Sequence, residues 1–173
     1  MRRALVVALA TLAASLLAAC APELDWRELH WEDGKLKVML PAKPSKSARE
    51  VVLAGEKVPM EMLQSQLPGL AFGVAFSPLP KGDRAAVLAA ARDALLRNID
   101  GKLVAEREVA IRGVAAPGRE FLGEGVVAGT PMIVAARVAA TDDRFYQVVF
   151  VGRKDRAENV DLPLYLGSFT VVP

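Results

Sequence analysis

One cysteine stands in the 173 residues, at position 20, where a leader-like segment ends. Arg2 and Arg3 give that segment a positive start, and an apolar run of fourteen residues follows from position 4 to 17, interrupted only by Thr11 and Ser15. A spanning helix needs about 20 apolar residues, so the run is too short for a permanent transmembrane anchor and reads as a cleaved export signal over 1–19. An exported domain is commonly stapled by disulfides, but a chain with one cysteine has no partner for it. Whatever follows the leader must therefore be held by a hydrophobic core alone. The 154 residues after position 19 suffice for one domain that buries roughly 68–70% of its unfolded surface. Apolar residues make up 53% of the chain and charged residues 24%, which excludes wholesale disorder. Without the two leader arginines, 20 basic residues meet 20 acidic ones, and a neutral chain lacks the footprint of a nucleic-acid binder.

The leader ends Leu17-Ala18-Ala19-Cys20. These four positions resemble the lipobox of bacterial lipoproteins, with Leu17, Ala18 and Ala19 as the signal-peptidase recognition residues and Cys20 as the lipidated residue. The resemblance implies a thioether-linked diacylglyceryl group on Cys20, palmitate-type acylation, and attachment of the mature protein to a lipid bilayer. A single acyl chain binds membranes marginally, whereas two or more anchor stably. Ala21 rather than Asp follows the cysteine, which in double-membrane bacteria implies sorting to the outer membrane, facing the periplasm. Residues 20–25 are expected to be an acylated tether and 26–173 a single domain.

Along that domain, Asp33-Gly34 is a turn signal, residues 35–40 alternate as a strand, and 42–47, with Pro44 and two lysines, read as a loop. Val58, Met60, Met62 and Gln64 share one strand face, while Phe72, Val74 and Phe76 share another beyond the Pro68-Gly69 turn. Asp83 is the expected N-cap of one clear helix, whose Val87, Leu88, Ala91, Leu95 and Ile99 make a single apolar stripe. Four strands then follow in about fifty residues with short turns, which favours antiparallel pairing. Residues 154–167 are expected to form a second helix, shortened or broken by Pro163, before a closing strand over 168–172. The fold class expected is α+β, an antiparallel sheet flanked by helices.

This order of segments resembles the PsbP-like superfamily, which includes a photosystem II extrinsic protein and a nuclear-import Ran-binding factor. The segments that carry the resemblance are Val38-Met-Leu-Pro-Ala-Lys-Pro44, Phe72-Gly-Val-Ala-Phe76 with the helix over 85–99, Gly113 to Glu120, Arg144-Phe-Tyr-Gln-Val-Val-Phe-Val-Gly152, and Gly167-Ser168-Phe169. The resemblance implies a PsbP-like α/β/α sandwich over 26–173. It transfers no catalytic residue set.

Candidate chemistry is sparse. His30 is the only imidazole; Glu28, Glu32 and Asp33 lie near it in sequence, but a surface histidine is the plainer reading than a metal ligand, and no metal site is expected. Ser65 and Ser168 lack the Gly-x-Ser-x-Gly context of a hydrolase nucleophile. The pairs Glu106/Glu108, Glu120/Glu124 and Asp142/Asp143 have the same-face spacing of an acid/base pair, but Arg107, Arg112 and Arg119 interleave with them and favour cross-strand ion pairs. Gly123, Gly125 and Gly129 stand in strand context without a following helix, so they do not read as a phosphate loop. Lys35, Lys37, Lys43, Lys46 and Arg49 are the candidate contact for an anionic surface, set against the plainer reading of a solvated loop and edge. Trp26 and Trp31, near the anchor, are read as core residues before membrane-interface ones.

The sequence therefore points to a non-enzymatic, membrane-anchored accessory or protein-binding module of the cell envelope, without cofactor and without nucleic acid, whose partner is another envelope protein. The alternative is a periplasmic small-ligand or lipid-binding domain in which Gly69, Gly73 and Gly125 line a pocket between sheet and helix.

Overall fold

A computed structural model of the protein describes residues 23–172; the leader, the lipobox and Cys20 lie outside the described residues. Seven long strands form one antiparallel sheet in the order β3-β4-β5-β9-β8-β7-β6, and three short ones form a second sheet in the order β1-β2-β10. The large sheet comprises β3 (Ser45–Leu53), β4 (Glu56–Leu67), β5 (Leu70–Pro78), β6 (Lys102–Val109), β7 (Gly118–Val127), β8 (Thr130–Ala140) and β9 (Arg144–Arg153). The small one comprises β1 (Arg27–Trp31), β2 (Leu36–Leu40) and β10 (Thr170–Val171).

The central strands β5, β8 and β9 are apolar on both faces, so the large sheet needs a cover on each side. One cover is the helix α1 (Arg84–Arg97). Asp83 caps it by accepting a hydrogen bond from the Ala86 N–H at 3.1 Å, as its position before the apolar stripe predicts. Val87, Leu88, Ala91, Leu95 and Ile99, joined by Leu96, pack on Met60, Met62, Phe121, Val134, Val138 and Phe145. The C-terminal end of α1 lies directly on β7. A Cβ built on Gly125 would stand 2.1 Å from the Ile99 carbonyl oxygen, so only glycine allows this approach.

The other cover departs from the expected α/β/α sandwich. Instead of a second helical layer, the small sheet turns Trp31, Leu36, Val38 and Leu40 onto Phe72, Val74, Phe76, Tyr146, Val148 and Phe150. Helix is sparse here: α2 (Lys154–Ala157) and α3 (Leu162–Gly167) are single turns. Pro163 sits in the first turn of α3, where a missing N–H costs nothing, and Asp161 caps that turn through the Leu164 N–H at 2.9 Å. The expected 154–167 helix is thus two short turns. Tyr165 from α3 is fully buried, and its hydroxyl lies 2.8 Å from the Gly73 carbonyl oxygen and 3.2 Å from that of Val149. Burial holds its hydroxyl proton far above the ordinary tyrosine range.

Two further differences concern the chain's first half. The expected loop over 42–47 becomes strand from Ser45 onward, because the first six residues of the edge strand β3 are exposed and pair with β4 without burying a face. Of the expected tether, residues 23–25 already pack on the domain: Leu24 lies against the core, Glu23 pairs with Arg156, and the Asp25 N–H donates to the Pro41 carbonyl at 2.9 Å. Trp26 stands edge-on to Phe72, and Trp31 edge-on to Phe76, so both belong to the core.

The close approach at Gly125 gives a stability test. Gly125→Ala should cost about 2–3 kcal/mol, because the contact is with backbone and cannot relax by rotamer change. Gly55→Ala, at φ 84 in open space, should cost only about 1 kcal/mol. Urea unfolding of the two variants checks the order.

Candidate functional site

The small sheet and α3 cover β5, β9 and β8 on their side but stop short of the β6 edge. There the face of the large sheet is open, and a groove of about 280 Å³ runs between it and α3. Ala105 of β6, Leu122 of β7 and Ala135 of β8 line it from the sheet, while Leu162, Pro163 and Leu166 line it from α3. Glu120 and Arg137 also line it, and Arg137 is shared with a second groove of about 440 Å³ bounded by Lys37, Glu28, Arg112 and residues 167–170.

Register brings three charges together here. Glu120 lies opposite Arg107 on β6 and Arg137 on β8, so all three share one face. Arg107 Nε donates to one carboxylate oxygen at 2.8 Å and Arg137 Nε to the other at 2.6 Å. The Glu120 and Arg137 side chains are 17% and 15% exposed, whereas Arg107 reaches into solvent. Burial alone would push the Glu120 carboxyl up; the two guanidinium groups outweigh it, and its proton affinity falls below the usual carboxylate range. A carboxylate held ionised in this way is a fixed charge at neutral pH, not a proton donor. With Lys37, Arg112 and the surplus guanidinium, the two grooves present net positive charge beside an apolar floor.

The other carboxylate pairs resolve into ion pairs as the interleaved arginines suggest, though not always across strands. Glu108 meets Arg119 of β7 at 3.1 Å, but Glu106 meets Arg92 of α1 at 2.8 Å. Glu124 meets Lys154 at 2.8 Å, and Asp142 meets Arg84 at 3.0 Å. His30 is exposed on the outer face of the small sheet, paired in register with Lys37. Among the described residues no three His, Cys, Asp or Glu side chains converge on a metal position. Ser168 holds local structure: its hydroxyl accepts from the Met39 N–H at 2.9 Å and donates to the Tyr165 carbonyl at 2.7 Å.

The five basic residues 35–49 do not form one patch. Lys46 is tied to Asp33 at 2.8 Å and Glu61 at 3.0 Å and stands over the Trp31 ring. Arg49 lies opposite Met60, on the α1 side of the sheet, whereas Lys46 lies opposite Leu63 on the other side. Lys37 faces the second groove, and Lys35 and Lys43 are exposed in the links on either side of β2. Of the glycines expected to line a pocket between sheet and helix, only Gly73 does so. It floors a groove of about 180 Å³ with Gln64, Gln147, Leu95 and Asn98, while Gly125 is packed under α1 and Gly69 lies in the β4–β5 turn.

Glu120 has a folded-state proton affinity below its unfolded one, so its contribution to stability is present above about pH 4–5 and is lost as pH falls through the folded value. Glu120→Gln should therefore lower stability by about 1–2 kcal/mol at pH 7, with the gap to wild type closing below about pH 4. Urea midpoints measured across that range check it.

No protein-family model and no curated protein matches the chain. Among solved structures it is similar to cyanobacterial PsbP (CyanoP) from Synechocystis sp. PCC 6803, with a TM-score of 0.54 at 10% identity over 88% of this chain and 95% of that one. It also aligns with LpqN of Mycobacterium tuberculosis, described as involved in cell envelope biogenesis, with a TM-score of 0.45 at 13% identity over 88% of this chain and 93% of that one. PA94 of Pseudomonas aeruginosa, a protein of unknown function described as a putative regulator, aligns with a TM-score of 0.39 at 9% identity over 77% and 86%. The likeness to cyanobacterial PsbP is one of fold: this chain is an α+β protein of PsbP-like architecture, with sparse helices around mainly antiparallel sheet.

Proposed function

We propose that the chain is a non-enzymatic accessory lipoprotein of the cell envelope, anchored through acylated Cys20, that docks another envelope protein along β6. The observation that carries the docking is the groove beside a free strand edge. β6 ends the large sheet, and its outer backbone groups face away from β7. An extended segment adding to that edge would place alternate side chains over Ala105, Leu122, Leu162 and Leu166, with an acidic residue in reach of Arg112 and Arg137. The charges of Glu106, Arg107 and Glu108 and the bulge at Val104 guard the same edge against indiscriminate pairing.

The anchor rests on the lipobox Leu17-Ala18-Ala19-Cys20 and on the absence of any other use for the sole cysteine; Ala21 favours the outer membrane, facing the periplasm. A second reading, a small-ligand module, is favoured by the amide-lined groove over Gly73, where Gln64, Gln147 and Asn98 offer paired donors and acceptors.

A photo-crosslinking residue at Ala105 in the full-length protein should capture one dominant envelope protein in intact cells. The same probe at Ala48 of β3, on the opposite edge of the sheet, should not capture it, and Cys20→Ser should lose it by mislocalisation. Capture of nothing at Ala105, with a small molecule co-purifying in native mass spectrometry and lost in Gly73→Leu, would replace the docking reading with the ligand-binding one.

A further inference from the structure

The β7–β8 hairpin ends in an uncharged tip. Val126 and Val127 are 53% and 42% exposed, Ala128, Gly129 and Pro131 are exposed too, and Met132 is half-buried. This tip overhangs its neighbour, since β6 begins at Lys102 opposite Glu124, three residues or about 10 Å short of Val127. The β3–β4 hairpin at the opposite end of the sheet is a direct comparison. Both turns use Ala-Gly with positive φ at each residue, 51° and 84° at Ala54-Gly55 and 48° and 79° at Ala128-Gly129. The first is preceded by exposed Val52 and buried Leu53 but runs into Glu56 and Lys57; the second is uncharged on both sides, with two valines before it and Thr-Pro-Met after it. Backbone geometry is common to both, so the turn does not require the apolar chemistry of the second.

The chain's N-terminal exit lies at the same end of the molecule. Glu23 and Leu24 are held beside Leu70, Arg156 and Val160. Leu70 pairs with Gly152, Gly152 with Ile133, and Ile133 with Glu124, so the exit and the hairpin tip share one rim of the large sheet. Three strand spacings, about 14 Å, separate β5 from β7. Cys20 is three residues before Glu23, which limits its reach to about 10 Å from that rim. Three basic residues of the rim are matched locally, Arg153 with Asp155, Lys154 with Glu124 and Arg156 with Glu23, while Lys102 beside the tip is exposed. The tip itself carries no charge from Gly125 to Met132, so its own attraction to a surface is apolar.

We infer that the 126–131 tip is a membrane-contact element, inserting its valines into the lipid surface beside the acyl anchor and fixing the domain with this rim against the bilayer. The inference rests on the acylation of Cys20 proposed above. A second attachment on the rim that also carries the chain's exit sets a tilt that a single lipid anchor leaves free, and it leaves the β6 groove beside the membrane rather than facing away from it.

The test uses full-length acylated protein in vesicles of phosphatidylethanolamine and phosphatidylglycerol. An environment-sensitive fluorophore is attached at Val127→Cys or, for comparison, at Glu56→Cys; the acylated Cys20 sulfur is a thioether and does not react. Intact mass and flotation report acylation and anchoring. The label at 127 should shift to shorter wavelength and lose most of its emission to a quencher carried on the lipid chains, while the label at 56 changes little. Anchored protein whose 127 label behaves like the 56 label overturns the inference and leaves the anchor standing. A wavelength shift at 127 without lipid quenching overturns it too, and assigns the tip to a protein partner or a second copy. Unacylated protein that fails to float removes the anchor and the inference together.

Discussion

The described fold follows from a seven-stranded sheet whose central strands are apolar on both faces. Among the described residues one helix is long enough to cover a face, so the remaining face is closed by what lies at the two ends of the domain: the β1–β2 hairpin, two single helical turns and the short β10. Tyr165 ties this patchwork down, placing its hydroxyl at two carbonyls of adjacent central strands. With no disulfide available to the described domain, that cover is retained by packing alone, and its aromatic content is correspondingly high: Trp26, Trp31, Phe72, Phe150, Tyr165 and Phe169 meet within it.

The uneven cover also creates the larger sheet's open margin. A full second helical layer would have extended across β7 and β6. The small sheet does not, and the uncovered margin becomes a groove with a free strand edge beside it. Arg107 and Arg137 cage Glu120 there, so the margin can be exposed without an unpaired buried carboxylate. The same economy of helix leaves the rim near the chain's exit built of hairpin ends, whose side chains are set by the sequence of each turn rather than by core packing.

Much of the architecture was legible from residue patterns. The α1 stripe and its Asp83 cap, the faces of β4 and β5, and the turns at Asp33-Gly34, Pro68-Gly69 and Thr141-Asp142-Asp143 all follow from local chemistry. The beginning of β3 was not legible, because an exposed edge strand has no buried face and hence no alternation, and Pro44 with two lysines mimics a loop. Nor was the nature of the second cover, since a short apolar run such as Leu36, Val38 and Leu40 does not say which face it will meet. The site was half visible: Arg107 and Glu120 could be paired from their interleaving, but Arg137 joins them only through the register of β8 on β7. Basic residues 35–49 looked like one patch in sequence because strand pairing, which sends Lys46 and Arg49 to opposite faces, is a property of the tertiary fold.

The pairing of β10 with β2 has a kinetic consequence. Thr170 meets Lys37 and Val171 meets Leu36, so the second cover closes only when both extremes of the domain are present together. Such contacts are among the most distant in sequence that the fold makes, and their loop-closure entropy has to be met before they return any stabilisation. A chain synthesised from its N-terminus therefore holds an unfinished, loosely covered sheet until its final strand arrives, and this cover is the last to close.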